Sequence, residues 1–367
     1  MPRLITHPER LPLLALGMVS LVAGLWAGLL RVGWDLATPR PDWVLVHGPL
    51  MVSGFLGTLI ALERAVALGR LWGYAVPFLS GLGGVTMIVG APSILSRSLW
   101  LYAALGLLAI FLALARRQYA WYLMVMAVGA LLWAVGTGLW LFGATLPDVV
   151  LWWGGFLVVT IAGERLELSR FRQWPRQIEV LLMAAIGFVV LALPVSLVDA
   201  TLGVRLVGAG LVGVACWLMV YDIARRTIAQ TGLTRYMAVA LLTGYAWLAV
   251  SGAALMRSGP GTAGPSYDLV LHTLFLGFVF AMIFAHAPVI FPAVLGVRMA
   301  YRPWFYGPLV LLHVSLMLRV IGDIGLWGEG RRIGGLLNAA TILVFILTMA
   351  SSVHARTQPT PVTRPSM

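Results

Sequence analysis

The sequence predicts an all-α polytopic membrane protein, and three observations carry that prediction. Of 367 residues, 60% are hydrophobic and 10% charged, with a mean hydropathy of +0.94, far more apolar surface than a soluble domain can bury. The apolar residues gather into twelve runs of about the 20 residues that a helix needs to cross the hydrocarbon core. The 25 basic residues, all arginine, fall mainly in the short loops between those runs.

The first run, 11–31, follows a short polar start, lacks a small-residue cleavage site and leads into further spans, so it reads as a retained helix. The second and third, 43–66 and 72–92, adjoin at Arg64 and Arg70, and the fourth and fifth, 99–116 and 119–142, at Arg116 and Arg117. The sixth, 148–166, runs into Arg165, Arg170, Arg172 and Arg176 before the seventh, 178–197. The eighth, 201–224, stops at Arg225 and Arg226, and 235–256, 267–291, 304–322 and 333–353 complete the set. With both termini on the cytoplasmic side, 17 arginines lie inside and 8 outside, the asymmetry expected of that orientation in a prokaryotic inner, or plasma, membrane. The expected organisation is one transmembrane domain over 1–356 with a disordered Pro/Thr-rich tail over 357–367.

The formal charge of +12 belongs to topology, which argues against a nucleic-acid partner and for the lipid bilayer. A single cysteine, Cys216, excludes a disulfide framework, a thiolate cluster and a CxxCH haem attachment, and its apolar run suggests a core position. Trp34, Trp43, Trp72, Trp100, Trp174, Trp304 and Trp327 sit at span ends and read as an aromatic belt. Gly208, Gly210 and Gly213 spell G-x-G-x-x-G, but no strand precedes them, so they read as helix-packing residues.

An internal repeat suggests three arcs of four helices. GFLGTLIALER (54–64) and GFLVVTIAGER (155–165) align without a gap, pairing Glu63 with Glu164 and Arg64 with Arg165. GFVFAMIFAHA (277–287) takes the same frame, with His286 at the glutamate position. Four-span spacing of the three segments implies a pseudo-threefold axis. The neighbouring Glu–Arg pairs, at cytoplasmic helix ends, read as solvated structural ion pairs.

Four histidines lie inside spans. His47 enters the second span and His272 the tenth, both four to five residues from the expected outer face, so the two can meet. His286, near the inner end of the tenth span, and His313, in the eleventh, lie at roughly 9 and 13 Å from the inner boundary, at about 1.5 Å per residue, and form a second candidate pair. Fourteen residues of α-helix turn by about 1400°, which puts His272 and His286 on one helix face. Two depth-matched pairs of neutral imidazoles suit two metal centres, His47 with His272 and His286 with His313.

LVHGPLMVSGFLGTLI (45–60) resembles helix II of the haem-copper oxidase superfamily, and HTLFLGFVFAMIFA (272–285) is similar to its helix X. The resemblance implies that His47 and His272 are the axial ligands of a b-type haem near the outer face, within a fold of three four-helix arcs. The sixth and seventh spans have no histidine, so that superfamily's copper site and its oxygen chemistry are not expected. HGPLMVSGF, LHTLFLGFVFAMIFAHAP and HVSLMLRVIGD together resemble the NnrS-type proteins, a twelve-span family with haem and copper linked to nitric oxide tolerance.

The expected function is therefore that of an integral membrane haem protein in electron transfer or nitric oxide handling, possessing an as yet unidentified electron donor or acceptor. Arg319, Arg331 and Arg332 are the expected partners of the haem propionates. His286 and His313 are expected to hold a second haem or a copper ion, with Glu63 left off the ligand set because it faces away from His47 on the helix. A transporter or channel without a redox cofactor is the alternative, disfavoured by the scarcity of buried charge and of broken helices.

Overall fold

The computed structural model describes residues 7–169 and 175–354. It contains twelve helices long and apolar enough to cross a membrane: α1 (Pro8–Arg31), α2 (His47–Leu68), α3 (Leu71–Val89), α4 (Ser93–Arg117), α5 (Trp121–Leu141), α6 (Leu146–Leu168), α7 (Arg176–Val198), α8 (Ala200–Tyr221), α9 (Gly232–Ser258), α10 (Pro265–Leu295), α11 (Pro303–Ile324) and α12 (Gly328–Ser351). The expected all-α, twelve-span class is what the structure shows. Local chemistry sets several ends. The Asp199 side chain accepts a bond from the Leu202 N–H to cap α8. Gly69, Gly90 and Gly296, at φ of 65°, 80° and 66°, close α2, α3 and α10 in the left-handed conformation that side chains disfavour. The tail at 357–367, Arg170, Arg172 and Trp174 lie outside the described residues.

Consecutive helices pack on one another, and α12 returns to α1. The second, sixth and tenth are among the most buried, with 72%, 78% and 67% of their apolar windows inside the protein, against 28% for α1. These are the three spans that carry the repeat. Arg64 of the first unit donates to Glu164 at 2.7 Å, and Arg165 of the second donates to His286 Nε2 at 2.8 Å. Each of these two arginines thus reaches the aligned acid or histidine position of the next unit. The third unit has Ala287 where the arginine would stand.

This network corrects the reading of solvated pairs at helix ends. Arg64 does bond its neighbour Glu63, at 3.0 Å, but it also bridges to Glu164. Arg165 does not pair with Glu164; it grips Asp222 at 2.8 Å, with side chains only 2% and 1% exposed. Two further expectations change. Cys216 is exposed on the outside of α8, where a protein-facing core position was expected. Trp43 and Trp100 are buried rather than in a belt, with the Trp100 indole donating to the Ser80 carbonyl, whereas Trp72, Trp304 and Trp327 are exposed as expected. Gly208 packs against the α9 backbone at Gly252, a helix contact with no phosphate cradle.

Candidate functional site

Both α2 and α10 leave α-helical winding within three residues of a histidine. Leu50–Leu56 follows His47–Gly48–Pro49, and Thr273–Phe280 follows His272, each as a π-helical stretch with wider i→i+5 turns. Such turns recur at functional sites because they redirect side chains and loosen the backbone ladder. They also undo the assumption that placed His272 and His286 on one face, since a π turn rotates the chain less per residue than an α turn.

His47 is seated by two glycines of α1. Its Nδ1 donates to the Gly24 carbonyl at 2.7 Å. A methyl group on Gly28 would stand 2.8 Å from that same nitrogen, so only glycine leaves room for the ring. His272 is seated from its own helix: Nδ1 donates to the Asp268 carbonyl at 2.8 Å and lies 3.3 Å from the Asp268 carboxylate. Arg319 of α11 holds that carboxylate with two parallel bonds of 2.7 Å. Gly334 of α12 makes this approach possible, because a side chain there would meet the Arg319 backbone at 2.8 Å.

The two rings lie with centroids 6.2 Å apart and planes 17° from parallel. A carbonyl oxygen only accepts, so each Nδ1 carries the proton and each Nε2 carries the lone pair. Neither Nε2 has a protein partner among the described residues. Both rings line a cavity of about 760 Å³ bounded by α1, α2, α6, α10, α11 and α12. Its walls are mostly apolar and aromatic, with Met51, Trp153, Phe275 and Phe280 among them. Arg31 and Arg331 stand toward the face where α1 ends and α2 begins.

This donor set fits a metal held axially by two imidazoles. Metal–imidazole bonds of about 2.0–2.1 Å, with each ring centre roughly 1.1 Å behind its nitrogen, put two such rings about 6.3 Å apart. Histidines that hold metals almost always donate their other N–H to a carbonyl or carboxylate, as both do here. The volume lies within the 300–1,000 Å³ typical of cofactor sites (about that range in general).

The remaining residues anticipated for a site divide. Arg319 lines the cavity, but its Nε and Nη2 are committed to Asp268 rather than left for a ligand carboxylate. Arg331 lines it too, 3.9 Å from Asp323. Arg332 is not in its lining; its guanidinium lies 4.3 Å over the Trp34 ring and 3.5 Å from Glu329. The second pair does not fit a metal. His286 donates through Nδ1 to the Met282 carbonyl, and its Nε2 lone pair receives Arg165. The lone pair of His313 Nδ1 receives the Trp247 indole, which leaves its Nε2 as a buried N–H. Both lone pairs a metal would need are thus occupied by different donors. Asp268 and Arg31 were missed; a carboxylate one helical turn before a histidine, inside a span, was the available signal.

Fold and site together define an integral-membrane helical protein with a histidine-lined cavity at one end of its most buried helices. The chain belongs to the family described as Domain of unknown function (DUF8744), whose model matches residues 10–354. No curated protein matches the chain. No solved structure matches it.

Proposed function

We propose that the protein is a membrane electron carrier that binds one b-type haem between His47 and His272. The observation that carries this reading is the near-parallel imidazole pair, with both Nδ1–H groups tied back to carbonyls and both Nε2 lone pairs left to one cavity. Two axial histidines leave no open position, so the haem would supply one-electron exchange rather than ligand turnover. The chain's own residues do the rest. Gly24 and Asp268 fix the two imidazole tautomers, the apolar walls exclude water, and Arg31 and Arg331 offer cations for the carboxylates at the cavity's rim.

The resemblance to NnrS-type proteins extends, on this reading, to their haem and not to their copper, because His286 and His313 are otherwise engaged. Nitric oxide chemistry has no site in the proposal. The arginine asymmetry supports placing the haem near the outer face of a prokaryotic inner membrane, with both termini inside. The test is a pyridine haemochrome assay with iron and copper analysis on the purified protein. One haem b per chain and no stoichiometric copper is expected. A colourless, iron-free preparation from haem-replete cells would favour a transporter and end this reading.

A further inference from the structure

Asp268 and Arg319 form a charge pair set asymmetrically about His272. The Asp268 carboxylate lies 3.3 Å from the ring nitrogen opposite the lone pair, and the arginine holds both of its oxygens through two 2.7 Å bonds, with no bond of its own to the ring. The backbone carbonyl of Asp268 already fixes the tautomer, so the carboxylate is not needed for that task. Other charged groups near the pair are Asp323, whose carboxyl group meets the Asp268 carboxylate side chain to side chain, and Arg331, 3.9 Å from Asp323. A charge pair inside a span is costly to bury and marks a candidate functional group.

We infer that Asp268 and Arg319 are positioning residues that set the electron affinity of the centre held by His272, the carboxylate lowering it and the guanidinium limiting the effect. The inference rests on the proposed haem site. Reduction adds one electron to the ferric centre and leaves it ferrous, and a negative charge beside the axial imidazole opposes that addition. A negative charge 3.3 Å behind the N–H of a ligating histidine also makes the imidazole a stronger donor, which favours the oxidised metal.

The test is a mediated potentiometric titration of the purified haem protein, with dithionite as reductant and ferricyanide as oxidant. Asp268→Asn is expected to raise the midpoint potential, and Arg319→Gln to lower it. Opposite signs are the signature of charge, because simple loosening of the site would move both variants the same way. Equal potentials, or shifts of one sign, would overturn the inference while leaving the haem site standing. If neither single variant accumulates, the charge-balanced Asp268→Asn/Arg319→Gln protein is the measurement. A potential above that of the unaltered protein supports the inference, and one unchanged or lower overturns it. A wild-type preparation without haem would instead remove the reading on which this rests.

Discussion

His47→Ala and His272→Ala are each expected to abolish the low-spin haem spectrum while leaving a membrane-inserted chain. Each substitution deletes one of two lone pairs that face the same cavity, and the other two histidines inside the spans, His286 and His313, have theirs engaged elsewhere. The helices should survive because both side chains border an existing cavity rather than a packed core, so truncation enlarges a space already present. The expected readout is haem content falling at least tenfold, or a high-spin, single-histidine spectrum where haem is retained. Detergent extraction and helicity by circular dichroism serve as the fold control. A normal low-spin spectrum in either variant would remove that residue from the ligand set.

Arg165→Met is expected to be the most destabilising single change at the other end of the molecule. It leaves Asp222 without its charge partner in a nearly dry site, and breaking a buried ion pair from one side costs about 3–5 kcal/mol. It also strips His286 Nε2 of its donor, a further loss of about 1–3 kcal/mol for a buried acceptor. The Asp222 carboxylate retains its bond from the Ala224 N–H, which is insufficient to hold a full charge. Thermal unfolding in detergent should show a large fall in Tm. Adding Asp222→Leu should recover most of it, since an apolar replacement of both partners leaves no lone charge. Loss of stability that the second substitution does not relieve would show that the ion pair is not what Arg165 contributes.

The spans were legible because burial in lipid imposes a composition that any twenty-residue window reveals. The first histidine pair was legible for a related reason: depth follows from distance along a helix, and His47 and His272 both sit near the start of spans entering from one face. Which lone pairs remain free was not legible. His286 and His313 lie at compatible depths, yet Arg165 and Trp247, distant in sequence, fill their acceptor positions. The π-helical stretches were equally hidden, since Leu50–Leu56 and Thr273–Phe280 read as ordinary apolar helix. The repeat was visible as an alignment, whereas its chemistry, each arginine reaching into the next unit, appeared only when the helices were placed side by side. Trp100 shows the opposite error: a tryptophan at a span end suits the interface, but the Ser80 carbonyl gives its N–H a partner inside.

The central claim is that two imidazoles, nearly parallel and 6.2 Å apart, hold one haem iron from opposite sides. Low-temperature electron paramagnetic resonance of the oxidised, purified protein tests it most directly. Near-parallel axial rings predict a rhombic low-spin ferric signal accounting for one spin per chain. A high-spin signal from the wild-type protein, or a low-spin signal that persists with both His47 and His272 replaced, would contradict it.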